Sequence, residues 1–235
     1  VPAAAVDLEE LEAALEIARK SYDSAAATEI LNVARSAAGE SEGEALDLLR
    51  VRAGLLVAEL LRLEFEETAR GERAARRTLG QRIDVAAEEA LGVLASIQES
   101  SETERMRADL LATMIRSDYR AKKYRAELNE AVERALERDQ ENPRALVSSA
   151  KPLVFAPVER GRDLNQAIEV LTRALEFDAG LESALLLRAH AYELLGDTER
   201  ATADWNSALD LNPECRPARR GLDQGSASAS AADGG

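Results

Sequence analysis

Thirty-four residues upstream of Ala201, Trp205, Ala208, Leu209 and Asp210 stand Ala167, Leu171, Ala174, Leu175 and Glu176, the same order of small, large apolar and acidic side chains. A unit that recurs at this period buries its apolar face by stacking on its neighbours as a helical hairpin. Residues 182 to 215, ESALLLRAHAYELLGDTERATADWNSALDLNPEC, form one whole such unit, with Ala189, Ala201 and Ala208 where two helices touch closely.

Working toward the N-terminus, the second-helix pattern of small or apolar residues recurs at Leu128/Val132/Ala135/Leu136, Ala87/Leu91/Leu94/Ala95 and Ala26/Ile30/Val33/Ala34. The step between units widens from 34 to 39, 41 and 61 residues, so the repeats degenerate upstream. Helix starts are marked by side chains that accept from orphan backbone N–H groups: Ser41/Glu44, Ser101/Glu104 and Asp163/Gln166 read as capping boxes, and Asn142 precedes Pro143. Gly196 reads as a helix end before Asp197. The spacing predicts ten helices over residues 7 to 21, 24 to 38, 43 to 69, 72 to 98, 102 to 121, 123 to 139, 143 to 156, 163 to 177, 181 to 195 and 198 to 211, hence five antiparallel hairpins.

Gly71 and Gly80 are positioned to end or bend the long pair between residues 43 and 98. Pro152 and Pro157 each remove a backbone donor and predict a kink or stop in the seventh helix. Three divisions follow: degenerate hairpins over residues 1 to 140, regular units and a short polar cap over 141 to 222, and a tail over 223 to 235 whose composition predicts disorder.

The composition fits an all-α chain: hydrophobic residues make up 46% but aromatics only 3%, and no alternating β-branched run appears. A net charge of −14, spread along the chain, argues against duplex nucleic acid as a partner. Of 30 basic residues only Lys20, Lys122, Lys123 and Lys151 are lysines, a bias expected of GC-rich coding and a hint about source rather than mechanism. No uncharged apolar stretch reaches the roughly 18 residues of a spanning helix. The opening VPAAAV lacks the basic and apolar regions of a signal peptide, and one already removed leaves cytoplasm and periplasm both open.

Leu185, Ala189, Tyr192, Gly196, Ala201, Trp205, Ala208 and Pro213 together resemble the tetratricopeptide repeat (TPR) family at every one of these spacings. The unit departs from the family at Arg188, where Leu is usual, and its upstream neighbour departs at Ala179, where Pro is frequent. The resemblance covers residues 182 to 215 clearly and 141 to 181 in part; upstream it rests on helical periodicity. It implies an all-α superhelix whose first helices line a concave surface for peptides or subunits. The groove face expected of the last unit is Ser183, Leu186, Leu187, His190, Glu193 and Leu194, without the cations of a carboxylate clamp.

Little else in the sequence carries chemistry. His190 and Cys215, each the sole residue of its type, are assigned to different helices and neither a Cys-His catalyst nor a zinc site is expected. Phosphate loops, His-Glu-x-x-His and calcium loops are absent from the sequence, so no cofactor or metal is expected. Two basic clusters stand out, Arg70, Arg73, Arg76, Arg77 and Arg82, and then Arg116, Arg120, Lys122, Lys123 and Arg125. In the second, Arg116, Arg120 and Lys123 share a helix face beside Tyr119, a candidate patch for an anionic partner; the alternative pairs these cations with Asp118 and Glu127.

The expected function is a non-catalytic scaffold that holds a peptide or subunit segment, with basic partner segments favoured, in a bacterial multiprotein assembly. A periplasmic accessory protein of a transport system, enclosing a small solute near the long hairpins, is the alternative, and self-association through an incompletely capped array is a third. Trp205 is read as the filler of the last hairpin. Trp205→Ala is expected to cost about 3 to 5 kcal/mol, measured as a lowered denaturation midpoint with partial loss of helical signal.

Overall fold

Several helices begin where a short polar side chain accepts from their free N–H groups. Asp7 accepts from Glu9 and Glu10, Asn142 from Arg144 and Ala145, Asp163 from Gln166, and Asp197 from Arg200, all through side-chain oxygens at 3.0–3.2 Å. The computed structural model describes residues 7–37 and 43–232, and over them the chain is a run of α-helices. These are α1 Leu8–Ser21, α2 Ser24–Ala37, α3 Glu44–Glu67, α4 Arg73–Leu94, α5 Ser101–Met114, α6 Asp118–Arg138, α7 Pro143–Phe155, α8 Leu164–Phe177, α9 Glu182–Leu195, α10 Thr198–Leu211 and α11 Arg216–Ala232. From α1 to α5 and from α7 to α11 each helix packs on the next across a short connection, an all-α arrangement. No helix among the described residues is long and apolar enough to cross a membrane.

The chain divides into two compact units, Val1–Ala131 and Val132–Gly235. The division falls inside α6, upstream of the boundary expected at residue 140.

In the first unit α3 is the centre, packed by α1, α2, α4 and α5. Its run from Val51 to Leu61 is buried at every position but Arg52 and Glu59, as a helix surrounded by others must be. Close approach to α4 depends on Gly54, where an added Cβ would lie 2.9 Å from the Cβ of Ala90 and 3.4 Å from the Ala86 carbonyl oxygen. Gly71 falls in the turn between α3 and α4, whereas Gly80 is carried inside α4 without ending it. The capping box expected at Ser101/Glu104 is one residue earlier: Ser100 Oγ accepts from the Thr103 N–H at 3.2 Å and Thr103 Oγ1 from the Ser100 N–H at 2.7 Å. The Ser41/Glu44 box lies partly outside the described residues, at Ser41.

The second unit builds its core from α7, α8 and α9, where Val147, Ala150, Val154, Leu171, Ala174 and Ala184 interdigitate. Two expectations about α7 meet its actual end. Pro152 is accommodated inside the helix, and the chain leaves it at Phe155, before Pro157, to form a 3-10 turn at Val158–Arg160 and a left-handed Gly161 at φ 98°. Arg188, the departure from the expected Leu, does not lie along the surface. Its Nε and Nη2 donate to the two Asp204 oxygens at 2.8 and 2.7 Å, and its Nη1 to Thr172 Oγ1 at 3.0 Å, joining α8, α9 and α10. The hydrogen bond to Asp204 holds the guanidinium above its ordinary value against the pull of burial.

The short polar cap expected after Leu211 is the start of α11, which packs on α9 and α10. Cys215 and Ala218 are fully buried. Of the tail assigned by composition to residues 223 to 235, those up to Ala232 are carried in α11 and residues 233 to 235 lie outside the described residues. The residues carried in α11 are rich in Ala, and extending an existing helix avoids the cost of nucleating one. Gly221 meets the flat face of Trp205 so closely that an added Cβ would lie 2.4 Å from an indole carbon. Gly221→Ala is therefore expected to lower stability by about 1 to 3 kcal/mol and to shift the fluorescence of the single tryptophan, read together in one denaturant titration.

Candidate functional site

α7 and α9 pack side by side as well as through α8, so residues near the end of α7 stand beside the middle of α9. The Phe155 ring stacks on His190 with centroids 5.6 Å apart and planes 30° from parallel. Phe155 remains 62% exposed. Around this pair the helical steps of three and four residues on α9 place Ser183, Leu186, Glu193 and Leu194. Leu194 is 44% exposed, Ser183 is exposed, and Leu186 is half-buried. His190 Nδ1 lies 3.2 Å from Glu193 Oε2, a contact one turn along the helix that orients the ring.

Five of the six groove residues expected from the sequence thus share an accessible strip; Leu187 does not. It is buried at 8% exposure against the core of α7 and α8, because one residue from Leu186 rotates a side chain by about 100°. Sequence reasoning missed Phe155. The signal was available: it is one of only three Phe in the chain and directly precedes the helix stop at Ala156 and Pro157. Val158, 67% exposed, follows on the next turn.

The candidate anionic-partner patch is rearranged by its tertiary setting. Arg116 Nη2 donates to Asp84 Oδ1 and Oδ2 at 2.7 and 2.8 Å and to the Gly80 carbonyl at 3.1 Å. Arg120 donates to the same carboxylate at 2.8 and 2.6 Å. The Arg116 side chain is only 7% exposed. Both arginines are therefore occupied by Asp84, which neither the open-patch reading nor the pairing with Asp118 and Glu127 anticipated. Lys123 and Tyr119 do remain at the surface, Tyr119 at 79% exposure. The Tyr124 phenol beside Lys123 pushes its ammonium above the ordinary lysine value, with smaller help from Glu88 and Tyr119. Arg76 is occupied too, donating to the Phe65 and Thr68 carbonyls at 2.7 Å and lying 3.9 Å over the Phe65 ring.

Between the ends of α3 and α4 a solvent-open cleft of about 460 Å³ is lined by Gly43, Glu44, Asp47, Ser96, Ile97 and Gln98. Among the described residues no group of His, Cys, Asp or Glu converges as a metal-binding set. Cys215 is fully buried at the start of α11, and the His190 ring is engaged by Phe155 and Glu193.

No protein-family model matches the chain, and no curated protein matches it significantly. Among solved structures the chain is similar to YrrB, described as a TPR protein with an unusual peptide-binding site, at 14% identity and a TM-score of 0.44, over 92% of this chain and all of that one.

The shared counterion gives a direct check on the rearranged patch. Asp84→Ala strands the buried Arg116 charge and is expected to cost about 3 kcal/mol, measured by urea denaturation, whereas Lys123→Ala at the exposed end is expected to change stability by less than about 0.5 kcal/mol.

Proposed function

We propose that the protein is a non-catalytic interaction scaffold, and that its second unit holds a segment of a partner protein along the strip of Phe155, Leu186, His190 and Leu194. The observation that carries this reading is an aromatic ring left 62% exposed yet fixed in orientation by stacking on His190. Such an anchor loses little freedom when a ligand covers it, so more of the burial energy appears as affinity. Ser183 and Glu193 at the edge supply hydrogen bonding that sets the direction of the segment. The net charge of −14 favours partner segments with basic residues, with binding that weakens as salt rises. The setting proposed is a bacterial multiprotein assembly.

The solute-handling alternative requires an enclosed apolar cavity along residues 43 to 98. The cleft there is open and rimmed by Glu44 and Asp47, and in the body of the hairpin Gly54 brings α3 against Ala90 without room for a Cβ. The strip on α7 and α9 is accordingly the better-supported site.

Affinity capture from source-cell extract, comparing the native protein with a Phe155→Ala/Leu194→Asp variant of unchanged helical content, tests the reading. A partner lost only by the variant is expected, with Phe155→Ala alone costing about 2 kcal/mol or more of binding energy. Capture that survives both substitutions places the site elsewhere.

A further inference from the structure

Two basic runs far apart in the sequence meet on one flank of the first unit. The contacts that bring them together are those of Arg116 with the Gly80 carbonyl, of Arg116 and Arg120 with Asp84, and of Lys123 with the nearby charge of Glu88. Gly80, Asp84 and Glu88 follow one another at four-residue steps along α4, and Arg77 and Arg73 extend the same row toward its start. The start of α6 therefore lies beside a row that is basic at one end. Arg70, Arg73 and Arg77 are exposed, and among the described residues they form no side-chain hydrogen bond or ion pair. Asp84 is already shared by two arginines, so it has little left to offer a third cation. Tyr119, 79% exposed, stands in the first turn of α6 within electrostatic reach of Lys123.

Unpartnered cations are unusual in a chain of net charge −14. Glu67 and Glu72 flank the row in sequence but leave Arg70, Arg73 and Arg77 without an ion pair among the described residues, and Asp84 is held by Arg116 and Arg120. We propose that this flank docks an acidic segment of a partner protein, with Arg73 and Arg77 receiving Asp or Glu carboxylates and Tyr119, farther along the row beside α6, packing on an apolar or aromatic side chain of the same segment. Three properties select this occupant. Arginine presents a planar fork that fits a carboxylate through two parallel hydrogen bonds. The exposed tyrosine provides apolar area with a polar tip, suited to a side chain rather than to a bare anion. The acidic remainder of the chain repels an extended polyanion such as duplex nucleic acid or an anionic bilayer, but a short segment meets only the local field, which salt confines to about 8–10 Å. The site lies wholly in the first unit and does not depend on the strip of the second.

The probe is a fluorescein-labelled peptide of Glu with interspersed Tyr, read by fluorescence anisotropy on the full chain against a Ser/Tyr peptide of equal length. Arg73→Glu/Arg77→Glu reverses two exposed, unpaired charges and is expected to keep the native helical signal and melting point. Its affinity for the Glu/Tyr peptide is expected to fall about tenfold or more, and native binding is expected to weaken several-fold between about 50 and 200 mM salt. Tyr119→Ala is expected to lower affinity without changing that salt dependence. Arg19→Glu, a charge reversal on α1 in the same unit, is expected to leave binding unchanged. Equal affinity of native protein and Arg73→Glu/Arg77→Glu overturns the proposal, as does a native protein that does not prefer the Glu/Tyr peptide. Two further results also overturn it by reassigning the flank: co-sedimentation with phosphatidylserine vesicles, lost in the double variant, without peptide binding, and concentration-dependent self-association in analytical ultracentrifugation that the double variant abolishes.

Discussion

Close approach of helix backbones is the constraint on which the rest of the structure depends. Where α3 meets α4 the contact passes through Gly54 and Ala90; where α10 meets α11 it passes through Trp205 and Gly221. At both places a methyl group has no room, because packed interiors hold few voids larger than a water molecule. In the second unit Ala167, Ala174, Ala184, Ala189, Ala191 and Ala208 are fully buried and serve the same end. A chain so poor in aromatics obtains its packing by shortening distances between helices rather than by filling wide spaces with large side chains.

Short separations also decide where charge can be placed. Arg188 is tolerated inside the second unit because Asp204 and Thr172 arrive from α10 and α8 to meet it. In the first unit Asp84 does the same for Arg116 and Arg120, and within α5 Asp109 and Glu102 surround Arg105, a side chain only 7% exposed. Burial alone would weaken the Arg105 charge, but these two carboxylates more than reverse it and hold the guanidinium above its ordinary value. Buried ion pairs contribute little net stability, since desolvation offsets most of their attraction, but removing one partner is expensive. The two that join separate helices, Arg188 with Asp204 and Asp84 with Arg116 and Arg120, therefore act as registration contacts, each satisfied in only one alignment of the elements it joins.

The surfaces left over have opposite characters. The second unit exposes an apolar and imidazole strip, whereas the first exposes a basic flank on an otherwise acidic chain. Neither is a by-product of poor packing, because Phe155 is held by His190 and the basic flank is anchored by the Asp84 cluster beneath it. On the readings proposed above, these two chemically distinct surfaces would let the protein select two partners without any change in its own fold.

The sequence by itself determined the helices. Ten helices read from period and caps recur in the structure with ends that mostly move by a few residues, because hydrogen bonding at helix ends is local and written in adjacent side chains such as Asn142 and Asp163. Where the reading slipped, the competing signal was also local: Thr103 supplied a box one residue before the expected one, and α5 ended at Met114 rather than at residue 121. That Ser183, Leu186, His190, Glu193 and Leu194 share one accessible face was legible from α9 alone, because a helix fixes which of its residues lie together. Only the tertiary structure decided what those faces meet. Phe155 joined the strip from another helix, Leu187 fell on the core side, and Arg116 and Arg120 found Asp84 more than thirty residues away. Such partners are chosen by how helices pack, a long-range outcome that no single segment of the chain encodes.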